Sequence, residues 1–252
     1  MISPSISIGP LTLHLYGLII ALSIYFGWLL AKKRANFYKI PQKLFDDPVL
    51  VLPLALSVIA ARLYHVLDYW DYYTQNPQLI IKISQGGLGI WGGLIGAFIG
   101  IWLIAKIKKL NLLSLLDLAA PSLLLGQAIG RFGNYINQEG FGPPTTLPWG
   151  VYISYQNRPA QFLNSDRFHP TFFYEAAIDA AFVFILLKLS KRFKKPGSTF
   201  AVYLILYSIG RFTIEFFRID TATIGTIKVA QVLSAIAFIV GVLMLLSKKN
   251  RG

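Results

Sequence analysis

The sequence predicts an all-α integral membrane protein with seven transmembrane helices, its N-terminus outside and its C-terminus in the cytoplasm. Three observations predict it. The 252 residues are 55% hydrophobic and only 14% charged, with a mean hydropathy of +0.56 that is too high for an ordinary soluble domain. Seven apolar runs approach the roughly 20 residues a helix needs to cross the hydrocarbon core. Lysine and arginine collect in alternate connections between those runs, as they do in cytoplasmic loops.

The first run, about 11 to 31, is followed at once by Lys32, Lys33 and Arg34, while the preceding MISPSISIGP has no basic residue. A signal peptide has the reverse arrangement, so this run reads as a retained span. The others fall at about 48 to 67, 88 to 105, 112 to 130, 170 to 187, 199 to 217 and 229 to 247. One set of connections holds Lys32, Lys33, Arg34, Lys39 and Lys43, then Lys106, Lys108 and Lys109, then Lys188, Lys191, Arg192, Lys194 and Lys195, then Lys248, Lys249 and Arg251. These are two-thirds of the 24 basic residues. An odd number of spans puts the two ends on opposite sides. The long connections, about 68 to 87 after the second span and 131 to 169 after the fourth, face outward, and their Trp and Tyr content suits the headgroup interface.

No linker, repeat or low-complexity tract divides the chain, so a single membrane-embedded domain, 1 to 252, is expected. The net charge of +13 would suggest nucleic acid in a soluble protein; here topology accounts for most of it, and no nucleic-acid partner is expected. With no cysteine, the chain has no disulfide, thiolate metal site or cysteine nucleophile.

Eight basic residues lie outside the cytoplasmic set: Arg62, Lys82, Arg131, Arg158, Arg167, Arg211, Arg218 and Lys228. Arg62 and His65 sit near the outer end of the second span, where snorkelling accounts for them. In the third span, GGLGIWGGLIGAFIG, glycines four apart leave two stripes bare, suited to close helix packing or to a substrate beside Trp91. Asp117 reads as a solvated helix-start residue. Glu175 and Asp179 share a face of the fifth span and suit an interior arginine whose identity the spacing does not give. His169 and Pro170 mark a helix start, and His14 stands at the start of the first span.

Tyr207, Arg211, Glu215 and Arg218 follow one another by four, four and three positions, one helix face of the sixth span. Charges inside a span face the bundle interior or a watery cavity and mark functional sites, although Arg211 and Glu215 also suit a structural ion pair. Leading into GRFGNYINQEGFGPP, which begins at Gly130, Gly126 and Gly130 fit a packed helix end. Arg131, Asn134 and Asn137 then recur at spacing three before Gly140, Gly142 and the Pro143, Pro144 pair stop the helix. Guanidinium forks and amide donors gathered there point to an anionic ligand such as a phospholipid head.

GRFGNYINQEGFG resembles the signature of bacterial prolipoprotein diacylglyceryl transferases. HLYGLII, GGLGIWGGLIG, HPTFFYE and GRFTIEFFR follow the family's order, so the resemblance covers nearly the whole chain. It implies a multi-pass enzyme of the bacterial cytoplasmic (inner) membrane that needs no cofactor or metal. Its partners would be membrane phosphatidylglycerol and the preprolipoprotein signal peptide. The enzyme would move the diacylglyceryl group to the lipobox cysteine and release glycerol phosphate. Carried over by motif, Arg131 and Arg211 would be indispensable, with Glu139 and Glu215 also catalytic. Asn134, Gly142, Tyr16, Tyr207 and Arg218 would complete the site by binding substrate, and Asn137, Trp91 and His169 are further substrate-binding candidates. Many members have histidine before the paired glycines of the third span; this chain has Trp91, so no histidine base operates there. A transporter or flippase of an anionic lipid or solute is the alternative that intramembrane arginines leave open.

Overall fold

The computed structural model describes residues 5–8, 11–83, 86–219 and 221–249; Arg251, used above for orientation, lies outside them. Eight α-helices are present among the described residues: α1 (Leu15–Arg34), α2 (Val51–Asp68), α3 (Trp70–Gln75), α4 (Ile90–Ile107), α5 (Leu112–Asn137), α6 (Thr171–Ser190), α7 (Ser198–Glu215) and α8 (Val229–Lys249). Each expected run corresponds to a helix, and α3 is an additional short one. Three small antiparallel pairs accompany them: β1 (Ser5–Ile8) with β2 (Leu11–His14), β3 (Val151–Tyr152) with β4 (Arg167–Phe168), and β5 (Thr223–Ile224) with β6 (Ile227–Lys228). The period-two alternation of SISI and LTLH is the strand signal for the first pair.

The chain is thus predominantly helical. Among the described residues, five helical segments are long and apolar enough to cross a membrane: Leu15–Tyr38, Pro48–Asp68, Ile90–Ile107, Leu112–Asn137 and Val229–Ser247. α6 and α7, of 20 and 18 residues, are diluted by Glu175, Asp179, Arg211 and Glu215.

The chain divides into two compact units. In the unit spanning 35–116, the α4 glycine stripe is filled by α2. A Cβ on Gly92 would come 2.1 Å from the Ala60 carbonyl oxygen, and one on Gly96 equally close to that of Leu56. Ser57 Oγ donates to the Gly93 carbonyl at 2.9 Å. The stripe therefore serves backbone approach between helices and leaves no room for a substrate on that face. Arg62, 8% exposed, does not snorkel. It donates to the carbonyls of Leu79, Ile80, Gly86 and Gly87 and lies over the Tyr73 ring, stapling the loop that leads to α4. The His65 ring packs on Tyr69 and Tyr73. At the other end of α2, Lys108 donates to Asp47 and, with the Val49 N–H, holds that carboxyl below the usual carboxylate range.

The second unit contains α1, α5 from Asp117 onward, and α6 to α8. Its apolar centre joins Ala120 and Leu124 of α5, Val183 and Leu186 of α6, and Tyr203 of α7. Ser122 Oγ donates to the Gly27 carbonyl at 2.8 Å, tying α5 to α1. Asp117 is not a solvated helix-start residue but 3% exposed. Its carboxylate accepts from the Gly197 N–H at 2.5 Å and the Phe200 N–H at 2.8 Å. It therefore caps the N-terminus of α7 from another helix, where the preceding Gly197 takes φ +86° and has no capping side chain of its own. Asp117→Ala strips two buried N–H groups of their acceptor and is expected to lower stability by about 2 kcal/mol, measured as a drop in the thermal transition in detergent.

Candidate active site

The α5 helix runs through the polar motif and ends at Asn137 in a Schellman turn. The Gln138 N–H donates to Tyr135 at 3.2 Å and the Glu139 N–H to Asn134 at 3.0 Å, with Gln138 itself at φ +54°. This turn usually carries glycine at the left-handed position. Here the side chain offsets the backbone strain, because Gln138 Oε1 accepts from Ser154 N, Ser154 Oγ and Asn157 Nδ2. The turn brings Asn134, Asn137 and Glu139 together, and Glu139 Oε1 accepts from the two amides at 3.2 and 3.3 Å. Asn134 Oδ1 in turn accepts from Arg131 Nη1 at 3.3 Å.

The next residues are shaped by what lies against them. Gly140, at φ +70°, lies beneath the Arg218 guanidinium, and its carbonyl accepts from Thr171 Oγ1 at 2.6 Å. A Cβ on Gly142 would come 2.7 Å from the Phe217 carbonyl oxygen and 2.9 Å from His169 Cβ, so no side chain fits there. The Tyr16 ring lies on Gly133, where a Cβ would meet it at 2.7 Å. Gly126 and Gly130, expected at a packed helix end, face open space with nothing within 4 Å.

The centre of the site is Glu175 of α6, which sequence reasoning noticed but did not place. Its Oε2 lies 2.7 Å from Arg131 Nε, its Oε1 2.6 Å from Arg211 Nη1, and Arg218 Nη1 stands 4.0 Å from Oε2. Arg211 also reaches Glu215 Oε2 at 2.7 Å, and Glu215 is wholly buried. The Arg211–Glu215 ion pair is therefore present, but as one side of a larger cluster. Three guanidinium groups surround these two carboxylates in a poorly hydrated place, and a third carboxylate, Asp179, lines the same cavity. Guanidinium forks held in this way suit an anionic group.

α7 stops at Glu215, so Arg218 lies in the turn beyond the helix. Lys228 Nζ donates to the carbonyls of Glu215 and Arg218 at 2.5 and 2.9 Å, neutralising the end of α7. Tyr207 and Asp179 line a cavity of about 10 Å³ with Arg131, Glu175 and Arg211. His169 Nδ1 lies 3.2 Å from Tyr174 Oη, which accepts from Trp149 Nε1 at 2.9 Å. Its backbone carbonyl accepts from the Gly142 N–H at 2.8 Å. The expected residues Arg131, Asn134, Asn137, Glu139, Gly142, Tyr16, His169, Tyr207, Arg211, Glu215 and Arg218 all belong to this unit. Trp91 belongs to the other, in the first turn of α4, where it is 42% exposed. Beyond Glu175, sequence reasoning missed Lys228 and Thr171 as supports. Asp179 carried a usable signal, an acid inside a span.

Residues 4–247 match the family model of prolipoprotein diacylglyceryl transferase. The chain is similar to the phosphatidylglycerol–prolipoprotein diacylglyceryl transferase of Thermosynechococcus vestitus, 38% identical over 94% of this chain and 89% of that one. The protein of the same name from Nostoc is 40% identical over 94% and 85%. That of Bacillus cereus is 39% identical over 98% and 92%.

Proposed function

This chain belongs to the prolipoprotein diacylglyceryl transferase family, and on that premise we propose that it transfers the diacylglyceryl group of phosphatidylglycerol to the lipobox cysteine of preprolipoproteins. A thioether forms and glycerol phosphate leaves. The observation that carries this reading onto the residues is the cluster of Arg131, Arg211 and Arg218 on Glu175, whose fixed guanidinium forks suit the phosphate. The family relationship favours it over transport of an anionic lipid.

The leaving group is a phosphate monoester with a second pKa near 6, so it departs as an anion without a strong general acid. Charge grows on its oxygen as the carbon–oxygen bond breaks. Guanidinium groups already fixed by carboxylates stabilise that charge more than they stabilise the bound lipid. Arg131 and Arg211 grip the phosphate, with Arg218 beside them. Asn134, Asn137, Tyr16, Tyr207 and His169 position the head, and Gly142 keeps its loop close. Glu215 holds Arg211 directly, and Glu139 acts on Arg131 through Asn134. The whole chain acts as one catalytic domain of seven spans in the bacterial cytoplasmic membrane, N-terminus outside, with the site toward the outer leaflet.

Mass spectrometry of a lipobox peptide incubated with the protein and phosphatidylglycerol tests the reading. A diacylglyceryl mass gain on cysteine is expected. An unmodified peptide under conditions where lipid crosses the bilayer would establish transport instead.

A further inference from the structure

The transfer releases a proton from the acceptor thiol, and most basic atoms of the site are committed elsewhere. Glu139 accepts from two asparagine amides, Glu175 binds two guanidinium groups within 2.7 Å, and Glu215 binds Arg211. His169 commits Nδ1 to the Tyr174 hydroxyl and keeps Nε2 as a rival acceptor, and the side chain of Trp91 has no basic atom. Asp179 differs from all of these. It lies one turn along α6 from Glu175, is 5% exposed, and makes no hydrogen bond or ion pair among the described residues. Its side chain lines the small cavity shared with Arg131 of α5, Glu175 of its own helix, and Tyr207 and Arg211 of α7. Arg131 and Arg211 act on it only through space, and burying a carboxylate without a hydrogen-bond donor costs several kcal/mol. The cavity, at about 10 Å³, has the space of a single water at most.

We infer that Asp179 is the proton acceptor for the lipobox thiol, a role that rests on the transferase reading above. The S–H bond breaks and its proton passes to the Asp179 carboxylate through the one water that the small cavity has space for. The sulfur lone pair forms a bond to the glyceryl carbon that carries the phosphate ester. The carbon–oxygen bond breaks, and its electron pair leaves on the phosphate oxygen facing Arg131 and Arg211. Asp179 then returns the proton to the departing glycerol phosphate and regains its carboxylate, so no further reactant is consumed. The arrangement gives this chain a proton acceptor independent of the position occupied by Trp91.

The test compares two peptides on the full-length protein in micelles containing phosphatidylglycerol, one with the lipobox cysteine and one with selenocysteine, whose selenol ionises unaided at neutral pH. Asp179→Asn is expected to lower turnover of the cysteine peptide about 100-fold, with KM for the lipid changed less than about threefold. The deficit with the selenocysteine peptide should shrink to within about fivefold, because that nucleophile needs no base. An equal deficit with both peptides, or undiminished cysteine turnover, overturns the assignment. If Asp179→Asn does not fold, Asp179→Glu carries the test: a deficit confined to the cysteine peptide supports the role, and an equal deficit with both removes it. Wild-type turnover is the internal control. Its absence sinks the transferase reading, whereas its presence beside an unimpaired Asp179→Asn sinks only the acceptor.

Discussion

Arg211→Lys is expected to lower diacylglyceryl transfer by about 10² to 10³-fold, comparable to removing one preorganised donor from a charge-stabilising site. Arg211 spans two carboxylates, with one amino group on Glu175 at 2.6 Å and the other on Glu215 at 2.7 Å. A lysine ammonium keeps the charge but has one nitrogen, and it lacks the planar fork that meets two partners at once. Whichever glutamate it chooses, the other loses its cation. Glu215, wholly buried, is the costlier one to strand. A loss of thermal stability should therefore accompany the loss of turnover. Arg131→Lys breaks a single contact to Glu175 and the link through Asn134, while Arg211 still neutralises Glu175. Its turnover should fall sharply with a smaller change in stability. Rates of peptide modification by mass spectrometry, read beside melting in detergent, separate the two variants. Wild-type turnover in Arg211→Lys would remove that residue from the phosphate grip.

The parts of this molecule that were legible beforehand are those where one stretch of chain decides its own state. Run length and apolarity located every long helix, but α5 continues to Asn137, beyond its expected end at about 130 and through the polar motif, and GRFGNYINQEGFG marked the place where helix, asparagines and glutamate converge. What stayed hidden depends on a partner far along the chain. Asp117 looked like a solvated helix start because its two N–H donors belong to α7, about 80 residues on. Arg62 looked like a snorkelling side chain because the carbonyls it staples lie in an irregular loop. The glycines of α4 were open to two readings until α2 was seen against them, and Gly126 and Gly130 show that the same spacing also occurs where nothing approaches. Within the site, the arginines stood out as charges that hydropathy does not tolerate. Glu175 stood out in the same way, but spacing has no means of pairing α6 with α5 and α7.

That pairing makes Glu175 the position where a single atom change should have the greatest effect on the architecture of the grip. Glu175→Gln keeps the shape and one carbonyl oxygen but removes the charge that faces Arg131, Arg211 and Arg218. Three guanidinium groups would then share the buried space with Glu215 and Asp179, one negative charge fewer than before. Removing one partner of a buried ion pair costs about 3 to 5 kcal/mol, so the variant should melt well below the wild type. Two accounts of the carboxylate diverge at that point. If Glu175 only fills the anion seat until phosphate arrives, its removal should tighten lipid binding and spare turnover at saturating phosphatidylglycerol. If it sets the spacing of Arg131 and Arg211, the forks splay, and turnover should fall about 100-fold even when lipid is saturating. The geometry favours the second account, since Glu175 uses a different oxygen for each arginine and so fixes their separation. Glu175→Asp, which keeps the charge but withdraws it by one methylene, should recover most of the stability and little of the rate. Full turnover in Glu175→Gln at saturating lipid would leave the arginines positioned by Glu215 and Asn134 alone.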